Sequence, residues 1–158
     1  MSSAAQNLHQ QIRDQLGTIV FGMDMAIEHL VIALIAGGHV LVQGVPGLGK
    51  TLLAKSFAQM TLGKFKRIQC TADLMPSDIT GIHIYRSDKQ EFELVPGPVF
   101  ADVLLVDEIN RAGPKTQSAL LQAMEEGKVT IDRTTYKLSD SFMVIASQNP
   151  IDFEGTYP

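Results

Sequence analysis

The stretch Val40-Leu41-Val42-Gln43-Gly44-Val45-Pro46-Gly47-Leu48-Gly49-Lys50-Thr51 decides how the chain is read. An apolar run enters a glycine-rich octet, Gly44 to Thr51, that fits G-x-x-x-x-G-K-[ST] without a mismatch. Lys50 to Met60 then reads as a helix. The order strand, tight loop, helix is the context that such an octet requires. Its glycines let the backbone wrap closely, so that successive N–H groups point at anionic oxygens. The helix beginning near Lys50 adds the positive end of its dipole. There the Lys50 ammonium reaches β- and γ-phosphates, and the Thr51 hydroxyl is placed to ligate Mg²⁺. The octet predicts a nucleotide site rather than a plain glycine-rich turn.

The flanks extend the same architecture. Upstream, Met23, Ile27, Leu30, Val31, Leu34 and Ile35 form the stripe of a helix with a broad buried face, which Gly37 and Gly38 stop. Residues 4–16 carry Leu8, Ile12 and Leu16 at helical spacing. Val40 to Val42 reads as a short buried strand, and Lys66 to Gln69 as a second strand. Residues 82–86 and 91–95 alternate around the polar turn Ser87–Gln90, a hairpin pattern. Val103 to Val106 is the continuous apolar run of a strand buried on both faces. Pro114 opens a helix that Gly127 ends, with Leu120, Leu121 and Met124 facing inward. Val129 to Leu138 is a second hairpin, and Phe142 to Ala146 a last buried strand. Strands alternating with helices indicate an α/β fold with a mainly parallel sheet.

Two strand ends carry chemistry. Val103–Val106 runs directly into Asp107-Glu108, placing two carboxylates at the edge where α/β sheets bind ligands. Beside a phosphate loop, Asp107 would hold Mg²⁺, mostly through water, and Glu108 would orient and deprotonate the attacking water. The last strand leads into Ser147-Gln148-Asn149-Pro150. Asn149 is either a contact to the γ-phosphate and its water or a turn-forming residue before proline.

Composition sets outer limits. The 158 residues suit one domain, and 45% hydrophobic with 19% charged is ordinary for a globular protein. A net charge of −4 argues against nucleic acid or an anionic membrane surface as the main partner. The longest apolar run, Leu30–Ala36, is far below the ~20 residues of a membrane helix. The N-terminus is polar, without a secretory core, so a cytoplasmic address is expected. Cys70 alone builds no disulfide and reads as a buried small side chain. The scattered histidines show no zinc spacing, and His39 reads as packed or capping. Lys64, Lys66 and Arg67 read as a solvated basic cluster or as an inter-subunit or substrate contact, and Arg111 either as a surface arginine or as a charge at a subunit interface.

In this order the sites resemble the core of an AAA+ ATPase, and the wording is closer still to the MoxR family. The match is carried by Ala36–Leu41 with Gly44–Thr51, by Arg67-Ile68-Gln69 with Asp73–Gly81, and by Pro96–Ala101. It continues in Leu105–Ala112 and in Gln148–Ile151 with Glu154–Pro158. It covers the chain from about Val20 onward. The resemblance implies a P-loop three-layer sandwich across residues 1–158, with ATP and Mg²⁺ as cofactors. Gly44, Pro46, Gly47, Leu48, Gly49, Lys50, Thr51 and Leu52 would be the Walker A segment around the phosphates, and Asp107 and Glu108 the Walker B pair. Asn149 would be sensor 1, with Glu108, Lys50 and Asn149 catalytic and Thr51 and Asp107 on the metal. Val20-Phe21-Gly22 resembles the lining of the adenine pocket. The two hairpins would be the helix-2 insert and the pre-sensor 1 hairpin.

Family members form rings, usually hexamers, and act as chaperone-like remodelling ATPases, often beside a partner with a von Willebrand factor A domain. Gly49 stands where many members have Ala, Gly113 replaces a frequent Pro, and Cys70 a frequent Phe; none of these removes a catalytic group. By the family's pattern Pro158 precedes the arginine finger, a fifth strand and the helical lid, so the chain reads as an incomplete core. Val40–Gln43 is then expected at an exposed sheet edge. An arginine finger is worth about 10³–10⁵ in rate, so weak hydrolysis by this chain alone is expected. The alternatives are a nucleotide-binding module without turnover and a DNA-dependent motor of the same clade, which the acidic balance disfavours.

Overall fold

Helical apolar spacing near the N-terminus gives two helices, α1 (Ser3–Ile19) and α2 (Asp24–Ala36), in the computed structural model, which describes residues 3–44 and 49–149. Ile12, Leu16 and Val20 bury one face of the first segment. In α2, Ile27, Leu30 and Val31 are buried, Met23 and Leu34 half-buried, and Ile35 is 44% exposed. The expected stripe is therefore narrower at its end, because Ile35 lies beyond the arc that meets the sheet. Gly37 adopts φ 65°, and the Gly38 N–H returns to the Ala33 carbonyl at 2.8 Å, closing the helix as expected of the glycine pair.

The chain continues through β1 (Val40–Gln43), α3 (Lys50–Met60) and β2 (Phe65–Gln69). A short helix α4 (Pro76–Thr80), not foreseen in the sequence, leads into the hairpin β3 (Gly81–Arg86) and β4 (Glu91–Pro96). Next come β5 (Val103–Asp107), a 3₁₀ turn at Ile109–Arg111 and α5 (Pro114–Glu126), with Pro114 in its first turn and Gly127 closing it at φ 61°. A second hairpin, β6 (Lys128–Ile131) and β7 (Thr134–Lys137), precedes β8 (Met143–Gln148).

Four strands form one parallel sheet in the order β1-β8-β5-β2, and each hairpin stands apart as a two-stranded sheet. Pleating sends Val103 and Leu105 to the cluster under α1–α3, and Leu104 and Val106 to the cluster under α5 and the hairpins. That division explains the uninterrupted burial of β5 and makes the domain a three-layer α/β sandwich of the P-loop type. β1 lies at the sheet edge among the described residues, as expected, so it is less buried than a central strand, and Leu41 is 53% exposed.

One inward assignment fails. Leu120 is 3% exposed and Met124 half-buried, but Leu121 is 62% exposed. The buried arc of α5 runs through Thr116, Leu120 and Ala123. Leu121 falls about 100° from Leu120 on the helix and ends at the rim of a groove beside β1. His39 is packed, as expected. Its Nδ1 accepts the Val144 N–H at 3.0 Å and its Nε2–H donates to the Met124 carbonyl at 3.2 Å, tying β1, β8 and α5 together.

Candidate nucleotide site

Because the four strands are parallel, their C-terminal ends lie along one edge of the sheet. That edge receives the turn before α3 and the ends of β2, β5 and β8. Gly49, Lys50, Thr51, Arg67, Gln69, Asp107, Glu108, Ser147 and Asn149 line a cleft there of about 190 Å³. Lys50 also borders a second cleft of about 400 Å³ with Phe21, Gly22, Gln43 and Gly44. Sequence positions separated by about a hundred residues thus share one site.

Gly49 caps α3 at φ 79°, in the left-handed region that favours glycine. Behind it the first turn of an 11-residue helix presents its amide groups, with Thr51 in that turn. The Lys50 ammonium donates to the Gly44 carbonyl at 2.9 Å.

Asp107 is 8% exposed, yet both its oxygens are engaged. Oδ1 accepts the Ser147 hydroxyl at 3.0 Å, and Oδ2 accepts Arg67 Nε–H at 2.7 Å. Ser147 in turn accepts the Glu108 N–H at 3.1 Å, so one hydroxyl links both acidic residues. Glu108 has φ 55°, an uncommon conformation for a residue with a side chain, at a cost of about 1–3 kcal/mol. Its Oε2 accepts the Gln69 amide at 2.9 Å and lies 3.3 Å from Arg111 Nε. Asn149 is 8% exposed, and its carbonyl accepts the Asn110 amide at 3.4 Å. Cys70 is fully buried, as expected. Burial first, then the charges of Asp107 and Glu108, push its thiol up to about 12.

The expected residues therefore separate into groups. Gly49, Lys50, Thr51, Asp107, Glu108 and Asn149 meet in one cleft, and Phe21, Gly22 and Gly44 line the adjoining one. Val20 borders neither, because its side chain continues the apolar face of α1 into the core. Leu52 is 48% exposed and lines neither cleft. Pro46, Gly47 and Leu48 lie outside the described residues, as do Pro150–Pro158 with the last family stretch.

Three contributors were missed: Arg67, Gln69 and Ser147. Arg67 is half exposed, as a solvated cluster would have it, but it also pairs with Asp107. The signal was present in Lys66-Arg67-Ile68-Gln69, where Ile68 is buried and polar residues stand on both sides. It could be read only once β2 was known to pair with β5, matching Gln69 to Asp107 and Arg67 to Leu105.

Comparison with known proteins gives the family of the fold. Residues 39–158 match the family described as "ATPase family associated with various cellular activities (AAA)". The protein named Chaperone MoxR1 of Mycobacterium tuberculosis is 49% identical over 140 residues, which are 89% of this chain and 37% of that protein. The protein YeaC of Bacillus subtilis is 56% identical over 135 residues, 85% of this chain and 42% of that one. A crystal structure from Cytophaga hutchinsonii, of a protein named as a candidate ATPase, superposes with a TM-score of 0.84 at 46% identity. It covers 98% of this chain and 47% of its own. The chain spans less than half the length of each. Among the described residues no helix is long and apolar enough to cross a membrane.

Proposed function

Because this chain belongs to the MoxR family of AAA+ ATPases, we propose that it binds Mg·ATP in the Lys50–Asp107 cleft and hydrolyses it to remodel or assemble other proteins. One observation carries the reading. The first turn of α3 and the ends of β5 and β8 deliver an ammonium, a hydroxyl, two carboxylates and an amide to one cleft. That donor set fits a magnesium nucleotide.

Bound there, Mg·ATP supplies a phosphoanhydride bond and a divalent charge that offsets charge building on the phosphoryl oxygens. The amides of the first turn of α3 and the Lys50 ammonium hold phosphate oxygens. Thr51 and Asp107 would hold the metal. Glu108 takes a proton from the attacking water at its carboxylate, and Asn149 orients that water. Phe21 and Gly22 border the base. For Glu108 to act through Oε2, that oxygen must be released by Gln69 and Arg111.

The name of the mycobacterial relative supports a chaperone-like role, and the family reading adds a ring, usually of six copies, in the cytoplasm. A partner with a von Willebrand factor A domain and a protein client complete the proposal. A second reading, nucleotide binding without turnover, is favoured by the engagement of Glu108 in the present arrangement.

Calorimetric titration with Mg·ATP, beside Lys50→Ala, tests the site. We expect saturable binding that the substitution abolishes. Binding that survives Lys50→Ala undiminished would remove the phosphate loop from the account.

A further inference from the structure

We infer that Arg67 is the built-in counter-ion of Asp107 and competes with Mg²⁺ for that carboxylate, so that Arg67 sets how much magnesium the site requires. This rests on the nucleotide reading above. A carboxylate as buried as Asp107 is costly without a partner. Ser147 satisfies Oδ1 but brings no charge. Lys50, also in the cleft, is turned to the Gly44 carbonyl. Arg67 supplies the positive charge at Oδ2.

The way Arg67 holds on is that of an exchangeable partner. It reaches Asp107 through Nε, while Nη2 donates to Gln69 Oε1 at 3.3 Å, so the guanidinium does not clamp the carboxylate with its two-pronged face. Its side chain is 49% exposed against 11% for that of Asp107. Withdrawal therefore returns a half-hydrated group to water, and Gln69 remains as an anchor beside it. A divalent ion, or water held by one, needs the oxygen that Arg67 now occupies. Two cations at one buried carboxylate repel each other, and the more mobile one leaves.

The test is the magnesium dependence of binding of a fluorescent N-methylanthraniloyl ADP, titrated with MgCl₂ from an EDTA solution, for wild type and Arg67→Gln. The magnesium midpoint is expected to fall about two- to fivefold in Arg67→Gln, the worth of a half-exposed ion pair. Affinity in EDTA should stay within about twofold, because Arg67 is assigned to the carboxylate and not to phosphate. A midpoint that is unchanged or raised overturns the inference. So does an equal loss of affinity with and without magnesium, which would make Arg67 a phosphate ligand. If Arg67→Gln does not fold, by circular dichroism, Arg67→Met carries the test; it keeps the stem and removes the charge, and an unmoved midpoint overturns the inference. Wild type that binds no nucleotide in either condition would sink the nucleotide reading itself. Saturable wild-type binding with unshifted variants would sink this inference alone.

Discussion

Gln69, at the end of β2, donates its side-chain amide to Oε2 of Glu108 at 2.9 Å, across from the next strand. The bond holds one carboxylate oxygen away from any water it would deprotonate. Gln69→Leu should therefore raise the basal ATPase kcat, by up to about tenfold for one hydrogen bond to a charged group, with KM unchanged. Glu108→Gln should keep nucleotide binding and lower kcat by about 10²–10⁴. Steady-state rates beside calorimetric affinities check both. Equal rates for Glu108→Gln and wild type would establish the reading without turnover.

Cys70 should be inert in the folded protein. Its thiol stands at about 12 against an ordinary 9.0, so at pH 8 it carries roughly a thousandfold less thiolate than in the unfolded chain. Iodoacetamide labelling followed by mass spectrometry should be slow in buffer and fast in urea. The sign for stability follows. The folded state favours the protonated thiol, so its contribution is whole below pH 9.0 and declines as pH rises toward 12. Rapid labelling in buffer would show that the β2 end opens readily.

Asp102 ties the far edge of the sheet. Its carboxylate accepts the Ser139 hydroxyl, the Lys64 N–H at 2.6 Å and the Ser141 hydroxyl at 2.9 Å. These bonds, Ser139 foremost, hold its carboxyl below the ordinary 3.8. Such a group stabilises the fold above its unfolded value and loses that contribution as pH falls through the folded one. Asp102→Asn should cost about 1 kcal/mol at pH 7, about 2–4 °C in Tm, allowing for its partial exposure. The gap from wild type should close as pH falls below the ordinary carboxylate value and through the lowered folded one. A gap that persists there would mean that shape rather than charge matters at this position.

Leu120 and Leu121 are neighbours with opposite fates. Leu120→Ala should cost about 2–5 kcal/mol, because it opens a cavity under α5. Leu121→Ala should stay within about 0.5 kcal/mol. Urea denaturation of the two variants measures the difference. Equal costs would place the exposed leucine against something that buries it.

The fold was largely legible because its signals are local. The Gly37-Gly38 stop, Pro114 in a first turn, the turn between β3 and β4, and the unbroken apolar run of β5 each follow from interactions among residues near in sequence. The site was legible where one motif held its own context, as in Gly49-Lys50-Thr51 and Asp107-Glu108. Leu121 was misread, and the partner of Arg67 missed, for the same reason. A residue's burial or pairing depends on which strand lies beside it, and hydrophobic period alone does not say so.

By itself the sequence determined the octet that needs glycine, the periods that make helices and strands, and the acids at the end of a buried strand. It also carried the likeness to one ATPase family. Long-range packing sets β8 between β1 and β5, with β2 on the other side of β5. From that order follow the meetings of Arg67 with Asp107, Gln69 with Glu108, and Ser147 with both acids. The exposure of Leu41 at the sheet edge follows from it too. Backbone preferences and caps act over a few residues and are written where they act. Strand order is a balance among distant apolar faces competing to be buried, and charged side chains find their partners only after that balance is struck.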